Sequence, residues 1–321
     1  MSRYASLPDY IIGVTHEIWE ERKMASLHQN YGRDIVMRNT GGLILGNGEV
    51  IKDTLASQAA FPDKQLLADD VIWCEGANGG HLSSHRVMIT GTHTGHGIFG
   101  APTRRVASAY CIADCFVENE VITDEWLCYD TSDMVQQLGH SPRDWAATMI
   151  TNEGGPDKAT RPFTADQDRP GPYSGSGNDH ELGEKLADTL TRIMNFDVAA
   201  IGEVYDRACH IRHAGGVSGW TRAFAEAEWM QLRTAFPDAA FKVHHRIGRS
   251  DKGEPDRAAI RWSLDGTHTG YGRFGPPTNA PVHIMGFTHA EFGPRGLRRE
   301  WSLWDEVAIW KQILLHEGAA S

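Results

Sequence analysis

The chain has 321 residues, of which 40% are hydrophobic and 23% charged, and its formal net charge is −11. This length allows two ordinary domains, each with its own buried core. The acidic balance argues against a nucleic-acid partner, because phosphate binding needs clustered Lys and Arg. No apolar run approaches the ~18 residues that cross a bilayer, and the first nine residues lack the apolar core of a signal peptide. We therefore expect a soluble cytoplasmic protein without a membrane partner.

The five cysteines do not indicate a disulfide framework. Their number is odd, and no two of them stand in a Cys-x-x-Cys spacing. Cys111 and Cys115 fall in a predicted strand, where four residues span ~13 Å and exceed the reach of a disulfide. We expect buried free thiols in a reducing compartment. The five positions are Cys74, Cys111, Cys115, Cys128 and Cys209.

The chain begins with two predicted helices. Apolar residues recur at helical spacing over residues 9–29, which predicts a long amphipathic helix that ends at Tyr31 and Gly32. A second helix is predicted over residues 49–60. It stops at the Phe-Pro-Asp motif of residues 61–63, because the residue before a proline disfavours helix.

After this motif the pattern becomes that of strands. Segments of β-branched and aromatic residues alternate with Gly, Asn or Asp turns, and residues 77–80 are typical of a hairpin connection. Each unit is thus predicted to have two helices followed by an antiparallel meander, which is an α+β arrangement with helices covering one face of a curved sheet. The predicted strands are residues 66–74, 85–94, 105–117 and 121–129.

A long segment rich in Gly, Pro and polar residues follows the first unit. It contains the run Arg-Pro-Gly-Pro-Tyr-Ser-Gly-Ser-Gly-Asn at residues 169–178, which is typical of a linker. Its length favours a partly ordered strap across a domain surface over a free tether. We place the domains at residues 1–150 and 181–321, with the linker at residues 151–180.

The chain repeats itself. Residues 91–103 read GTHTGHGIFGAPT and residues 266–278 read GTHTGYGRFGPPT, so the two copies are separated by 266 − 91 = 175 positions. Other motifs repeat at the same spacing, so the repeat is not a chance recurrence of one short motif. The pairs are Phe61-Pro62-Asp63 with Phe236-Pro237-Asp238, Arg86 with Arg261, Glu125-Trp126 with Glu300-Trp301, and Asp130 with Asp305.

The order of these landmarks resembles the SnoaL-like polyketide cyclase or ester cyclase family, within the nuclear transport factor two-like superfamily. The resemblance is carried by Phe-Pro-Asp, Gly-Thr-His-Thr-Gly, the following Pro-Thr, Trp-x-x-x-Asp and the Gln-Leu-Gly of residues 137–139. It implies two tandem cone-shaped domains, each a curved antiparallel sheet around an apolar cavity. It also implies that the two halves form an intramolecular pseudo-dimer, and it leaves a further homo-oligomer open.

The resemblance further implies a small-molecule substrate and chemistry without a metal or an organic cofactor. Characterised cyclases of this kind close a ring by an intramolecular aldol reaction, with an Asp in the cavity as the general acid or base. The superfamily also contains isomerases, dehydratases, epoxide hydrolases and members that only bind. The copies differ at several aligned positions, so unequal activity of the two cavities is expected. These positions are His96 and Tyr271, Cys128 and Leu303, and Tyr129 and Trp304.

Two aspartates are the predicted proton carriers. Strand alternation puts Trp126, Cys128 and Asp130 on one face. An Asp among apolar side chains would have its pKa raised toward neutrality, which suits enolate chemistry next to a carbonyl. The alternative is that the Asp caps the helical turn that follows it. In the second copy the same face carries Trp301, Leu303 and Asp305.

His93 and His268 are the predicted polarising partners. A neutral imidazole in the Gly-Thr-His-Thr-Gly motif could donate a hydrogen bond to a substrate carbonyl or help to shuttle its proton. The alternative is a His that holds the turn by hydrogen bonds to nearby groups.

The remaining candidates line the predicted pocket or bridge charges. Trp126, Trp301, Cys128 and Leu303 would form the apolar wall that contacts the substrate. Arg86 and Arg261 lie centrally in strands, where a structural salt bridge is the favoured role and binding of an anionic substrate the alternative. The histidine pairs outside the repeated motif do not recur in the other copy, so we predict no metal site.

The sequence thus predicts a cofactor-free acid–base enzyme acting on a small carbonyl compound, by aldol cyclisation or a related isomerase or lyase step. A protein that only binds a small molecule, or a scaffold, is the alternative from another class, and an epoxide hydrolase is a further one.

Overall fold

Two similar halves follow one another in the computed structural model, which describes residues 3–76 and 79–318. Each half contains a six-stranded sheet, and the strand orders match: β2-β1-β6-β5-β4-β3 and β8-β7-β12-β11-β10-β9. The strands of the first half are β1 Tyr31–Asn39, β2 Gly42–Leu45, β3 Gln65–Glu75, β4 His81–Thr92, β5 Val106–Glu118 and β6 Val121–Tyr129. Those of the second are β7 Tyr205–His213, β8 Val217–Trp220, β9 Ala240–Arg249, β10 Asp256–Thr267, β11 Pro281–Gly293 and β12 Gly296–Leu303.

Helices precede, interrupt and follow each sheet in the chain. In the first half they are α1 Leu7–Trp19, α2 Leu27–Asn30, α3 Asn47–Ala60, α4 Thr131–Leu138 and α5 Pro142–Asn152. In the second they are α6 Glu181–Met194, α7 Ala199–Val204, α8 Arg222–Ala235 and α9 Glu306–Glu317. Short 3-10 turns lie at Met24–Ser26 and Ala165–Gln167.

The predicted fold class is confirmed, with one correction to the sheets. Each sheet is mixed, because β1 runs parallel to β6 and β7 runs parallel to β12. The sequence pattern did not predict β1 or β2. Arg33, Asp34 and Arg38 interrupt the apolar alternation of β1, and its partner β6 begins more than 80 residues later in the chain. Local patterning cannot detect such a pairing.

Several predicted elements match the observed ones. The four predicted strands of the first unit correspond to β3, β4, β5 and β6, and the second predicted helix corresponds to α3. The first helix ends earlier than predicted, at Trp19, and Arg22 then adopts a positive φ of 60° before the chain turns back into the short α2. The predicted hairpin at residues 77–80 falls partly on residues 77–78, which lie outside the described part of the chain.

Both faces of each sheet are buried. One face of the first sheet packs beneath α1, through residues such as Ile11, Val14 and Ile18. The opposite face packs directly against the second sheet, where Trp126 of β6 and Phe287 of β11 belong to one apolar cluster. The two halves are therefore joined back to back, with a helix-covered face on each outer side.

The segment over residues 153–180, which we call the strap, is held at this junction. The Tyr173 ring lies against the rings of Phe116 and Trp126, and its hydroxyl is 2.5 Å from Nε2 of His245. Asp168 accepts a hydrogen bond of 2.7 Å from Nε of Arg38. The strap thus contacts both sheets instead of hanging free.

Two predictions about single features can also be compared with the structure. All five cysteines are free and buried, as predicted. Within residues 3–76 and 79–318, no helix combines the length and the apolar character that crossing a bilayer requires.

Candidate active site

A cavity of about 500 Å³ lies in the N-terminal half, between the helix-covered face of the first sheet and helices α1 and α3. Most of its wall is apolar, as in Val14, Ile18 and Val87. This volume is within the range of small-molecule sites. The second half also contributes to the wall, through Asp305, Val307, Ala308 and Lys311 at the start of α9, and the strap contributes Thr160 and Pro162.

Glu125 is the acidic side chain buried in the sheet wall of this cavity. It is the fifth residue of β6 and pairs with Cys115 of β5. Its Oε2 atom is buried and has no hydrogen-bond partner among the described residues. Burial raises the pKa of Glu125 to about 8, against a smaller lowering by the Cys115 thiol. Such a carboxyl exchanges protons near neutral pH.

Lys64 and His85 line the same cavity. Burial lowers the pKa of Lys64 to about 8, and its Nζ donates a hydrogen bond of 2.7 Å to Oγ of Ser57. His85 lies on β4, which is separated from β6 by the single strand β5. Burial, and then the charge of Arg86, lower its pKa to about 4, so its imidazole is neutral at pH 7. The Nε2 atom of His85 is buried without a hydrogen-bond partner among the described residues.

The equivalent space in the C-terminal half is filled by three indole rings. Trp229, Trp262 and Trp304 are fully buried, and their ring centroids lie 5.9 to 6.3 Å apart. At an offset of 175 their counterparts in the first half are Thr54, Val87 and Tyr129, all of which line the open cavity.

Glu300, the counterpart of Glu125, has partners for both carboxylate oxygens. Its Oε1 is 2.7 Å from Nε2 of His213 and accepts a bond of 2.8 Å from Oγ of Ser302, and the hydroxyl of Tyr205 donates to Oε2. In the first half Asn39 and Leu127 replace His213 and Ser302. The same acidic position therefore has partners for both oxygens in one half and keeps one oxygen without a partner among the described residues in the other.

Asp130 and Asp305 are buried, but both act as helix caps and as contacts between the halves. Asp130 accepts hydrogen bonds from the backbone N–H groups of Asp133, Gly215 and Gly216. Burial is the largest influence on its pKa, which is raised to about 7. Both aspartates border the cavity. Their hydrogen bonds, however, are those of helix-capping residues, which is the alternative role that the sequence suggested.

Asp305 mirrors this arrangement. It caps α9 through the N–H groups of Val307 and Ala308, and it accepts hydrogen bonds of 3.1 and 3.0 Å from the hydroxyls of Thr40 and Thr131 in the other half. Burial raises the pKa of Asp305 as well. Each aspartate thus fastens its own closing helix to the opposite half.

His93 and His268 hold the loops that follow their strands. Nδ1 of His93 is 3.2 Å from Oγ1 of Thr103, and Nδ1 of His268 is 3.0 Å from Oγ1 of Thr278. Their Nε2 atoms are buried without partners among the described residues, and burial lowers the pKa of both rings. His93 also packs against Phe61, at a centroid distance of 5.2 Å. Neither histidine is part of the cavity lining.

The residues predicted to form the apolar wall lie instead between the two sheets. Trp126, Cys128 and Leu303 belong to the apolar cluster at that junction. Trp301 faces the first half, where the guanidinium of Arg86 stacks on it at 3.6 Å. The alternation of β6 has the predicted period, but the opposite face, with Glu125, Leu127 and Tyr129, lines the cavity.

Arg86 and Arg261 each stack on an indole of the opposite half, but only Arg261 also donates a hydrogen bond to a carboxylate of that half. Arg86 donates a hydrogen bond of 2.8 Å to Asp69 and stacks on the indole of Trp301. Arg261 donates a bond of 3.1 Å to Asp114 and stacks on the indole of Trp126 at 4.0 Å. These contacts correspond to the structural salt bridge favoured by the sequence, and both side chains are buried away from the cavity.

Sequence reasoning missed Glu125, Lys64 and His85. One signal for Glu125 is present in the sequence, because the Glu-Trp pair recurs in both copies. No pattern marks Lys64 or His85, since Ala239 and Ile260 stand in their places in the second copy. Among the described residues, no three side chains of His, Cys, Asp or Glu are grouped to hold a metal ion.

Comparisons with known proteins match parts of this chain. The family model described as SnoaL-like polyketide cyclase matches residues 185–313. Among solved structures, IdmH from Streptomyces antibioticus is 22% identical, with 41% of this chain and 98% of that chain covered and a TM-score of 0.36. A SnoaL-like polyketide cyclase from Agrobacterium tumefaciens is 22% identical, covering 42% of this chain and 98% of its own, with a TM-score of 0.33.

A third structure, TsrD from Streptomyces laurentii, is 18% identical, with coverages of 43% and 97% and a TM-score of 0.37. No curated protein matches this chain. Each of these three alignments covers between 41% and 43% of this chain. The C-terminal half therefore matches the model of the SnoaL-like polyketide cyclase family, and the identical strand orders of the two halves fit a tandem duplication.

Proposed function

We propose that the N-terminal half is a proton-transfer enzyme for a small carbonyl compound, with Glu125 as the proton carrier. The observation that carries this proposal is the unpartnered Oε2 atom of Glu125 in the cavity wall. Leaving a buried carboxyl oxygen without a partner costs free energy, and the second half avoids that cost at Glu300. Retaining it in the first half is consistent with a ligand that supplies the missing contact.

The protonation state of Glu125 suits this chemistry. With a pKa raised to about 8, it is mostly a neutral acid at pH 7 and becomes a carboxylate just above. In the carboxylate form it removes a proton next to the carbonyl, and the resulting acid returns that proton to another atom. An intramolecular aldol closure, or a related isomerisation, needs these two steps.

His85 is suited to polarise the carbonyl. Its neutral ring can donate a hydrogen bond to the carbonyl oxygen as negative charge develops there. The Cα atoms of Glu125 and His85 are roughly 12 Å apart when estimated from strand spacing and rise. Their side chains extend from the same sheet face into the cavity, so the substrate would lie between them.

The test is solvent exchange of a probe ketone. We expect the wild-type protein to accelerate the loss of the α-proton signals of 2-tetralone in D2O at pD 8, measured by proton NMR, and Glu125→Gln to reduce the acceleration at least ~100-fold, because the amide cannot accept the proton. The matched control is Glu300→Gln, which should leave exchange unchanged. If Glu125→Gln exchanges the ketone as fast as wild type, or wild type no faster than buffer, the proposal fails.

A further inference from the structure

Lys64 has the surroundings of a nucleophilic amine rather than those of a structural cation. It directly follows the Phe-Pro-Asp motif, and its side chain is buried in the cavity wall. No carboxylate of the described residues lies within 4.0 Å of its Nζ, whereas buried lysines that serve structure are paired with acids. Lys311, for example, donates hydrogen bonds of 2.7 and 2.9 Å to Glu153.

The contacts that Lys64 does make leave its nitrogen available. Nζ donates to Oγ of Ser57 and lies 4.3 Å from the ring centroid of Trp19 and 5.8 Å from that of Tyr129. A hydroxyl and two aromatic rings do not neutralise a charge as a carboxylate does, so burial favours the neutral amine. A neutral, desolvated lysine amine is the form that attacks carbonyl groups.

We propose that Lys64 forms an imine with an aldehyde or ketone bound in the N-terminal cavity. Nζ attacks the carbonyl carbon, the carbonyl π electrons move to oxygen, and one amine proton is transferred to that oxygen to give a carbinolamine. The hydroxyl then takes a proton from the medium and leaves as water, while nitrogen forms the double bond to carbon and becomes a protonated imine.

This inference rests on the proposed function, because both require a carbonyl compound in the same cavity. The imine would acidify the C–H bond next to the former carbonyl carbon. The second half cannot perform the step, since Ala239 stands in the place of Lys64 and Trp262 fills the space.

Reductive trapping tests the proposal. The intact protein is incubated at pH 7 with 3-phenylpropanal and sodium cyanoborohydride, and modified peptides are located by tandem mass spectrometry. Lys64 has a pKa lowered to about 8, so its neutral fraction at pH 7 exceeds that of an exposed lysine by roughly two orders of magnitude. We expect one phenylpropyl group per chain, located at Lys64.

The matched variants are Lys64→Met and Lys52→Met, which remove a buried and an exposed amine from the same half. Lys64→Met should abolish the rapid modification and Lys52→Met should not change it. Modification spread over exposed lysines, with Lys64 unlabelled in the wild-type protein, would overturn the proposal without needing a folded variant.

The two proposals fail separately. If Lys64 is unlabelled but 2-tetralone exchange depends on Glu125, the imine is refuted and proton transfer stands. If Glu125→Gln is trapped at Lys64 at the wild-type rate while wild type does not accelerate exchange, the imine stands and the proposed proton transfer is refuted.

Discussion

The two halves differ in how the space between each sheet and its covering helices is filled. Thr54, Val87 and Tyr129 leave a cavity of about 500 Å³ in the first half, and their counterparts Trp229, Trp262 and Trp304 fill the same space in the second with close-packed rings.

The polar residues change together with the packing. Glu300 is enclosed by hydrogen bonds from Tyr205 and Ser302 and a contact with His213, whereas Glu125 keeps an unpartnered oxygen. The comparison teaches that one duplicated fold can be a filled core in one copy and can enclose a cavity in the other. A few substitutions on facing elements are sufficient for this difference.

Transferring one indole to the first half should abolish its activity. Val87→Trp places the residue of position 262 into the open cavity, and we expect 2-tetralone exchange to fall to the rate in buffer because the substrate volume is occupied. The control is Val106→Trp, the same change at an exposed valine, which should leave exchange within about twofold. Full exchange by a folded Val87→Trp variant would contradict the assignment of the site to this cavity.

The buried acid of the first half should make stability depend on pH. Because the pKa of Glu125 is raised to about 8 in the folded protein and is about 4.3 in an unfolded chain, the folded state retains a proton that the unfolded state releases. The stability linked to this proton is complete below pH ~4.3 and is lost as the pH rises through 8.

Glu125→Gln removes this dependence. Its free energy of unfolding relative to wild type should therefore rise by up to about 3.5 kcal/mol between pH 5 and pH 8, as measured by urea denaturation. A constant difference across that range would show that the carboxyl titrates normally.

Removing an indole from the second half should cost stability without creating activity. Trp262→Val leaves a void in a fully packed core, and we expect the free energy of unfolding to fall by about 3 kcal/mol. Combined with Glu125→Gln, it should not restore exchange, because Glu300 keeps its internal partners. Exchange by the double variant would show that packing alone silences the second half.

The capping aspartates should affect stability more than catalysis. The backbone N–H groups of Gly215 and Gly216 donate to the two carboxylate oxygens of Asp130. Asp130→Asn retains one of these acceptors and replaces the other with an NH2 group, which cannot accept a hydrogen bond. We expect a loss of about 2 kcal/mol in the free energy of unfolding at pH 8 and exchange within about twofold of wild type. Loss of exchange with an unchanged melting temperature would return the catalytic role to Asp130, as the sequence-based hypothesis has it.

The sequence by itself determined the duplication, the α+β class, the positions of α3 and of β3 to β6 to within four residues, and the burial of the cysteines and the two aspartates. These features depend on local periodicity, turn residues and a repeated register, all of which are written in neighbouring positions. It also predicted that the copies would differ, since aligned positions such as Tyr129 and Trp304 are not equivalent in volume.

Only the tertiary structure decided which face of β6 meets the cavity. Strand alternation shows which side chains share a face, but it does not show which face lines the cavity when both faces are buried. Here one face packs against helices and the other against the second sheet. The parallel pairing of β1 with β6 was decided in the same way, because it joins distant parts of the chain. Glu125, Lys64 and His85 line one cavity only because distant strands and loops enclose the same space. A linear pattern contains no measure of that enclosure.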